Sequence, residues 1–129
     1  MRKTLLIIAA TLTTTAVALA HHSYGATYDM NKEIKLEGKI VQFVYRNPHS
    51  FVTVQAPDAS GAAQRWAIEW SGTGQLGGQG VTRETLRAGD EILITGRPSR
   101  VTGEFRALMV SLKRPSDGFS WGSRGEVVD

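Results

Sequence analysis

Cysteine is absent from this chain of 129 residues, which excludes disulfide bonds and metal sites built on thiolates. An excess of charge is missing as well. When Arg2 and Lys3 are assigned to an N-terminal leader, 13 basic residues face 12 acidic ones, and the net charge falls from +3 to +1. Nucleic-acid-binding domains usually carry a stronger basic excess, so we expect no nucleic-acid partner.

Residues 1–20 have the three parts of a secretory signal peptide. Arg2 and Lys3 precede an apolar run that extends to Val17, and the small residues Ala18 and Ala20 are typical of a cleavage site. The run is interrupted by threonines and is shorter than a usual bilayer span. We therefore expect a mature protein that is periplasmic or secreted and has no membrane span after cleavage.

The three histidines of the chain occur in only two places. Cleavage after Ala20 makes His21 the N-terminal residue with His22 directly behind it, and His49 follows Pro48 in a predicted turn. An α-amine and an imidazole both lose a proton near neutral pH and can then bind a metal ion. The pattern predicts a metal site formed by His21, His22 and His49.

The sequence is compatible with three forms of this site. In a histidine brace, the amine and ring of His21 and the ring of His49 bind copper in a T shape. Alternatively, the three imidazoles hold zinc or copper with an open position. If cleavage falls before Ala20, His22 becomes the third residue and the terminus forms a square-planar Cu(II) or Ni(II) site. Further side chains that could join or orient the ligands are Asp29, Glu69, Met30 and Met109.

Short β-rich segments separated by turn residues follow the N-terminal region. The expected strands are 34–45, 51–56, 64–70, 91–95 and 105–112. The Gly-rich stretch 71–80 predicts a loop, and Thr82 as an N-cap predicts a short helix over 83–88 that ends at Gly89. Five strands with one helix between the third and the fourth predict an all-β, five-stranded OB-like barrel. The expected organisation is a signal peptide 1–20, an N-terminal arm 21–33, a barrel 34–114 and a flexible tail 115–129.

Several short motifs are distributed along the mature chain. They are His21-His22-Ser23-Tyr24, Tyr28-Asp29, the stretch 36–40, Asn47-Pro48-His49-Ser50 and the stretch 82–90, which leads into a run ending at Pro98. Together they resemble a family of small exported bacterial proteins, the domain of unknown function number 6152. The resemblance implies a single secreted β-barrel domain and no established activity.

These observations lead to two functional hypotheses. The first is a periplasmic metal-binding protein, with copper as the expected metal and zinc as the alternative, that sequesters the ion or delivers it to another periplasmic protein. Nucleophilic catalysis is not expected, because there is no cysteine nucleophile and no recognisable Ser/His/Asp order. A brace could also activate oxygen, but sequestration or delivery is expected rather than turnover. The second is a ligand-binding or interaction module without metal, whose barrel face carries Trp66, Trp70 and Arg97. Arg97, Arg100 and Arg106 around the last hairpin could form a small anion patch, although such charges are more often a solvated face.

Overall fold

The computed structural model describes residues 23–122, which form six strands and two short helices. The elements are α1 (Ser23–Thr27), β1 (Ile34–Val44), β2 (Phe51–Pro57), β3 (Ala63–Glu69), α2 (Thr73–Gly78), β4 (Glu91–Pro98), β5 (Arg106–Arg114) and β6 (Phe119–Trp121). The predicted signal peptide, His21, His22 and residues 123–129 lie outside the described residues. Within the described part, no helix is long and apolar enough to cross a membrane.

Strands β1 to β5 close into a barrel. The order in the sheet is β3-β2-β1-β4-β5-β6, and all of these neighbours pair in the antiparallel direction. A short parallel ladder between β3 and β5 joins the two sides, with Ala67, Ile68 and Glu69 opposite the first residues of β5. The all-β, five-stranded OB-like barrel expected from the sequence is confirmed.

The barrel interior follows from the alternation of apolar and polar residues along the strands. On β2, Val52, Val54 and Ala56 are buried, while the residues between them are more exposed. The strands also approach one another closely. A Cβ atom on Gly38 would lie 2.1 Å from the carbonyl oxygen of Gln55, so only glycine allows β1 to pass β2 at this distance.

The helix between β3 and β4 lies at a different place from the one predicted. Residues 83–88 form turns, and the prediction of a helix there is wrong. The Thr82 amide donates a hydrogen bond to Thr85 Oγ1 at 2.8 Å, which closes a local turn instead of starting a helix. The helix is α2, within the predicted Gly-rich loop, where Leu76 is fully buried in the core. Burial of this leucine compensates the low helix propensity of its glycines.

The segment after β5 is joined to the barrel by β6. Its residues pair with the end of β5, and Leu112 lies opposite Trp121. The ring of Trp121 packs edge-on against Trp70 at 5.0 Å, and its indole nitrogen donates to Gln79 Oε1 at 2.8 Å. The stretch expected to begin a flexible tail at residue 115 therefore contributes to the sheet as far as residue 121.

Candidate functional site

The turn between β1 and β2 presents His49 at one end of the barrel. Asn47 Oδ1 accepts a hydrogen bond of 2.9 Å from the Thr73 amide and so caps the start of α2. Ser50 closes the turn from within, because its hydroxyl accepts from the Arg46 amide at 3.1 Å and donates to the Arg46 carbonyl at 3.2 Å. The predicted Asn-Pro-His-Ser turn is thus held from both sides of His49.

Gly72 makes the contact between this turn and α2 possible. A Cβ atom at this position would lie 2.6 Å from the Pro48 carbonyl oxygen and 2.7 Å from Asn47 Oδ1. Both distances are shorter than van der Waals contact, so any side chain here would push the turn away. The peptide bond before Pro48 is cis.

The imidazole of His49 is held by Glu69, the last residue of β3. Its Nδ1 lies 2.7 Å from Glu69 Oε1. Because an ionised carboxylate only accepts hydrogen bonds, Nδ1 carries the proton and the lone pair of the neutral ring is on Nε2. Within residues 23–122 this is the one polar contact of the ring, whose side chain is 36% exposed. His49 therefore presents an oriented nitrogen donor to the surface.

The second oxygen of Glu69 is also engaged. Oε2 accepts hydrogen bonds from the Tyr28 hydroxyl and from Arg106 Nη2, the latter at 3.0 Å. Arg106 Nε in turn donates to the Tyr28 hydroxyl at 2.8 Å. Glu69 is only 5% exposed, and its carboxylate has three donors, the Tyr28 hydroxyl, His49 Nδ1 and the guanidinium of Arg106, which also balances its charge. Glu69, Tyr28 and Arg106 form a closed polar network beneath His49.

This network shifts the proton affinities of its members. Burial, the hydrogen bond to Glu69 and the charge of Glu69 raise the pKa of Tyr28 well above its ordinary value. The pKa of Tyr24 is raised by burial and by the charge of Glu69. Burial lowers the pKa of Arg106, but its hydrogen bonds to Glu69 and Tyr28 outweigh this effect and raise it overall. Both tyrosines are therefore neutral phenols at neutral pH, and Arg106 is charged.

The N-terminal arm is fixed against the hairpin between β4 and β5. Tyr28 forms an antiparallel bridge with Ser99 and is fully buried. The Arg100 amide donates to the Thr27 carbonyl at 2.9 Å, and Arg100 Nε donates to the Gly25 carbonyl at 2.7 Å. These contacts fix the second half of α1 and the residue that follows it against the hairpin.

The arm brings Tyr24 onto the candidate site. The centroid of its ring lies 5.3 Å from that of His49, with an angle of 34° between the two planes. Tyr24 is also 6.4 Å from Tyr28, measured between ring centroids. The aromatic contact covers one side of the imidazole and places the beginning of the described chain next to His49.

Arginines and aromatic rings alternate across the same outer surface. Arg46 lies 5.4 Å from the ring centroid of Phe51, Arg106 lies 5.8 Å from the same ring, and Arg106 also lies 5.5 Å from the ring of Tyr28. Phe51 is paired directly with Glu69 between β2 and β3, so both side chains lie on this face. Cation–π contacts of this kind stabilise the surface beside His49.

With this geometry established, the chain was compared with known proteins. The model of the family of unknown function DUF6152 matches residues 9–107, about three quarters of the sequence. The chain belongs to this family. Comparisons with curated proteins and with solved structures give no significant match.

For the DUF6152 chain, the structure unites some of the predicted site residues. His49 and Glu69, separated by 20 residues in the sequence, are in contact. Asp29 lies elsewhere, where it accepts a hydrogen bond from the Asn31 amide and pairs with Lys32. Met109 is buried in the core. Among residues 23–122 no group of three or more His, Cys, Asp or Glu side chains could hold a metal ion, and His21 and His22 lie outside that range.

Two residues of the aromatic and arginine face in the second hypothesis have other contacts in the DUF6152 chain. Trp70 is 1% exposed and belongs to the hydrophobic core, so it cannot stack on a surface ligand. Arg97 is engaged with the Met30 carbonyl and with Glu33. The three arginines considered for an anion patch have other partners, because Arg97 and Arg100 hold the arm and Arg106 is paired with Glu69.

Two residues of the site were missed by the sequence analysis, Tyr28 and Arg106. One signal for them was present. Glu69 lies between Ile68 and Trp70 on an apolar strand, and a carboxylate buried there requires donors and a cation from other parts of the chain. The sequence does not show which arginine or tyrosine supplies them, because the β3–β5 ladder that brings Arg106 opposite Ala67 is a long-range contact.

Proposed function

We propose that the exported protein binds a copper ion through His49 and the histidines at its mature N-terminus. The observation that carries this proposal is the contact between His49 Nδ1 and Glu69 Oε1 at 2.7 Å. A metal-binding histidine commonly donates its second ring nitrogen to a carboxylate, which fixes the tautomer and increases the basicity of the ligating nitrogen. His49 has this arrangement before any metal is bound.

The path of the arm supports a contribution from the N-terminus. Tyr24 packs against His49, and His21 precedes Tyr24 by only three residues. A segment of three residues spans at most about 11 Å, a length compatible with the proposed approach of the His21 amine and ring to His49. Anchoring of the arm by Arg100 lowers the entropy lost when the terminus binds the metal.

Copper is the metal that this donor set favours. Amine and imidazole nitrogens bind Cu(II) more tightly than the other divalent ions of the first transition series. In the proposed site, His21 supplies two nitrogens and His49 supplies the third, while His22 is a third imidazole or supports the other two. If His22 ligates in place of the amine, three imidazoles also suit zinc.

The proposed role is sequestration or delivery in the periplasm. Signal-peptide cleavage after Ala20 is part of the proposal, because the brace requires a free amine on His21. Delivery requires that a second periplasmic protein accept the ion from this site. A ligand near the surface, such as the 36%-exposed side chain of His49, is accessible for such a transfer.

Intact mass and copper titration of the same exported preparation test the proposal. We expect a chain that begins at His21 and binds one copper ion. The Glu69→Gln variant should weaken binding about 10–100-fold, the usual cost of removing an orienting partner, and His49→Ala should weaken it further. Thermal unfolding of each apo variant separates lost ligation from lost folding.

His22→Ala serves as the matched control. Retained affinity in this variant supports the brace, whereas a loss equal to that of His49→Ala supports the three-imidazole site. A chain that begins at Ala20 would contradict the brace, and a His49→Ala variant with the affinity of the wild type would contradict any site shared between the terminus and the turn.

A further inference from the structure

Strands β2 and β3 present a joint surface on the outside of the barrel. Side chains alternate along a strand, so the residues that alternate with the buried Val52, Val54 and Ile68 point outward. Apart from Glu69, these outward residues are half-buried or exposed. We call this surface the β2–β3 face; it consists of three cross-strand pairs, Phe51 with Glu69, Thr53 with Ala67, and Gln55 with Arg65.

Three arginines are distributed along the β2–β3 face. The guanidinium of Arg46 lies 5.4 Å from the ring centroid of Phe51, and that of Arg106 lies 5.8 Å from the same ring. Arg65 projects from the last pair of the face, opposite Gln55. Phe51 and Gln55 are four residues apart, which is about 13 Å along a strand. Arg46 and Arg65 therefore mark the two ends of the face.

Two of these arginines are not neutralised. Arg106 is paired with Glu69 at 3.0 Å. In contrast, Arg46 and Arg65 have no carboxylate partner within residues 23–122, and both are exposed. Asp58, in the hairpin at the end of β2, is engaged locally, since its oxygens accept from Ser60, Ala62 and Gln64. The β2–β3 face is thus positive although the whole chain has little net charge.

The spacing of the charges favours an extended ligand. A single small anion is too short to contact both ends of the face, whereas a chain with repeated negative charges reaches Arg46 and Arg65 together. Between the two ends lie Thr53 and Gln55, whose side chains make no hydrogen bond with other described residues. A hydroxyl and an amide can each donate and accept. They match neutral hydroxyl groups placed between the charges of a ligand.

The face lacks the features that nucleic acids and proteins need. Single-stranded nucleic acids stack their bases on aromatic rings, but Phe51 is the one aromatic residue of the six, and two guanidinium groups already contact its ring. Protein interfaces are centred on apolar and aromatic side chains, whereas Thr53, Gln55 and Arg65 are polar. Carboxylates and hydroxyls on one extended chain are typical of acidic polysaccharides.

We infer that the β2–β3 face binds an acidic polysaccharide of the uronic acid class. Carboxylates of the sugar chain pair with the guanidinium groups of Arg46 and Arg65, which suit bidentate contacts with a carboxylate. Hydroxyl groups between them bind to Thr53 and Gln55. This inference goes beyond the proposed function, because it needs no metal ion and uses only residues between 23 and 122.

Calorimetric titration of the exported protein with a galacturonic acid oligomer tests the inference. The titration is carried out at constant ionic strength with a metal chelator present. We expect Arg46→Gln and Arg65→Gln each to weaken binding about fivefold, the upper range for an exposed ion pair, and the double variant about 25-fold, because distant sites act additively. Arg87→Gln is the matched control, since Arg87 is an exposed arginine in the turn before β4. Thermal unfolding verifies that each variant is folded.

Three further ligands decide the class of the partner. The methyl-esterified oligomer keeps the hydroxyls but loses the charges, and we expect it not to bind. Tighter binding of a thymidylate or glutamate oligomer of the same length would overturn the polysaccharide assignment in favour of a nucleic acid or an acidic protein. The inference is also wrong if the galacturonic acid oligomer does not bind, or if Arg46→Gln and Arg65→Gln bind it as tightly as Arg87→Gln does. None of these results bears on copper binding, which is measured separately.

Discussion

Glu69 and Trp70 are neighbours in the sequence, and both are almost completely buried, but they belong to two different kinds of interior. Trp70 packs inside the barrel against Phe43 and Trp121. Glu69 is covered on the outside of the barrel by the N-terminal arm and is surrounded by polar partners. The apolar region depends on shape and volume, whereas the polar region depends on every partner being present.

This difference explains why the candidate site lies outside the barrel. Inside it, the chain offers mainly apolar side chains, and an ion would lose its hydration without compensation. Outside it, Glu69 fixes His49 because Arg106 and Tyr28 already satisfy the remaining oxygen. The arm thus encloses a second, polar interior, which fixes the orientation of the His49 imidazole.

Removal of Trp70 should have the largest effect on stability. Trp70→Ala leaves a cavity between Phe43 and Trp121, and we expect a loss of about 3–5 kcal/mol in the free energy of unfolding. Urea denaturation followed by circular dichroism measures it, with Leu93→Ala as the control at a partly exposed position. A loss below about 1 kcal/mol would show that the core can collapse around the missing side chain, and would weaken the contrast with the polar region.

Removal of Arg106 should have an intermediate effect for a different reason. Arg106→Met preserves much of the side-chain volume but leaves the buried Glu69 without its cation. Because the Arg106 side chain is 35% exposed, we expect a loss of about 2 kcal/mol in the free energy of unfolding. This is less than the cost of breaking a fully buried pair. Arg65→Met, an exposed arginine on β3, is the control. Equal stability of the two variants would mean that Glu69 does not need its cation.

Loss of the Tyr28 hydroxyl should have the smallest effect on stability. We expect the free energy of unfolding to fall by about 1 kcal/mol at neutral pH, because Glu69 keeps two other donors. The effect should also depend on pH. The folded state raises the pKa of Tyr28 above its ordinary value, so the unfolded chain loses this proton first, and the associated stability is lost as the pH rises above about 10. Tyr28→Phe removes this contribution. We therefore expect the difference in the free energy of unfolding between wild type and variant to become smaller as the pH of the urea titration is raised. A constant difference up to the alkaline limit of folding would contradict it.

Local patterns were sufficient for the strands of the barrel. Alternating apolar residues such as Val52 and Val54 predicted β2, and all five barrel strands were located with errors at their ends. The helix was misplaced because its causes are not local. Leu76 is drawn into the core, and Asn47, 26 residues earlier in the chain, caps the first turn of α2. A propensity argument evaluates Thr82 and the glycines without either contact.

The site was predictable only in part, for the same reason. His49 was identified because the chain has few histidines, and Glu69 was a candidate only as one of two carboxylates that could join or orient the ligands. Their contact depends on the pairing of β2 with β3, the role of Arg106 on the β3–β5 ladder, and the role of Tyr28 on the path of the arm. The three-residue strand β6 was missed because a segment of that length has no periodicity to detect.

The parallel ladder between β3 and β5 gives the site a mechanical consequence. It consists of three residue pairs, and Glu69 and Arg106 lie at its two ends on the adjacent strands. Glu69, which orients the imidazole, therefore also links β3 to β5 through Arg106, along the seam where the two strands close the barrel. An ion held by His49 would resist opening of this seam, since a ligand that binds the closed form alone raises the free energy of opening. Binding of an ion at the surface site would then slow amide hydrogen exchange in the paired residues of β3 and β5.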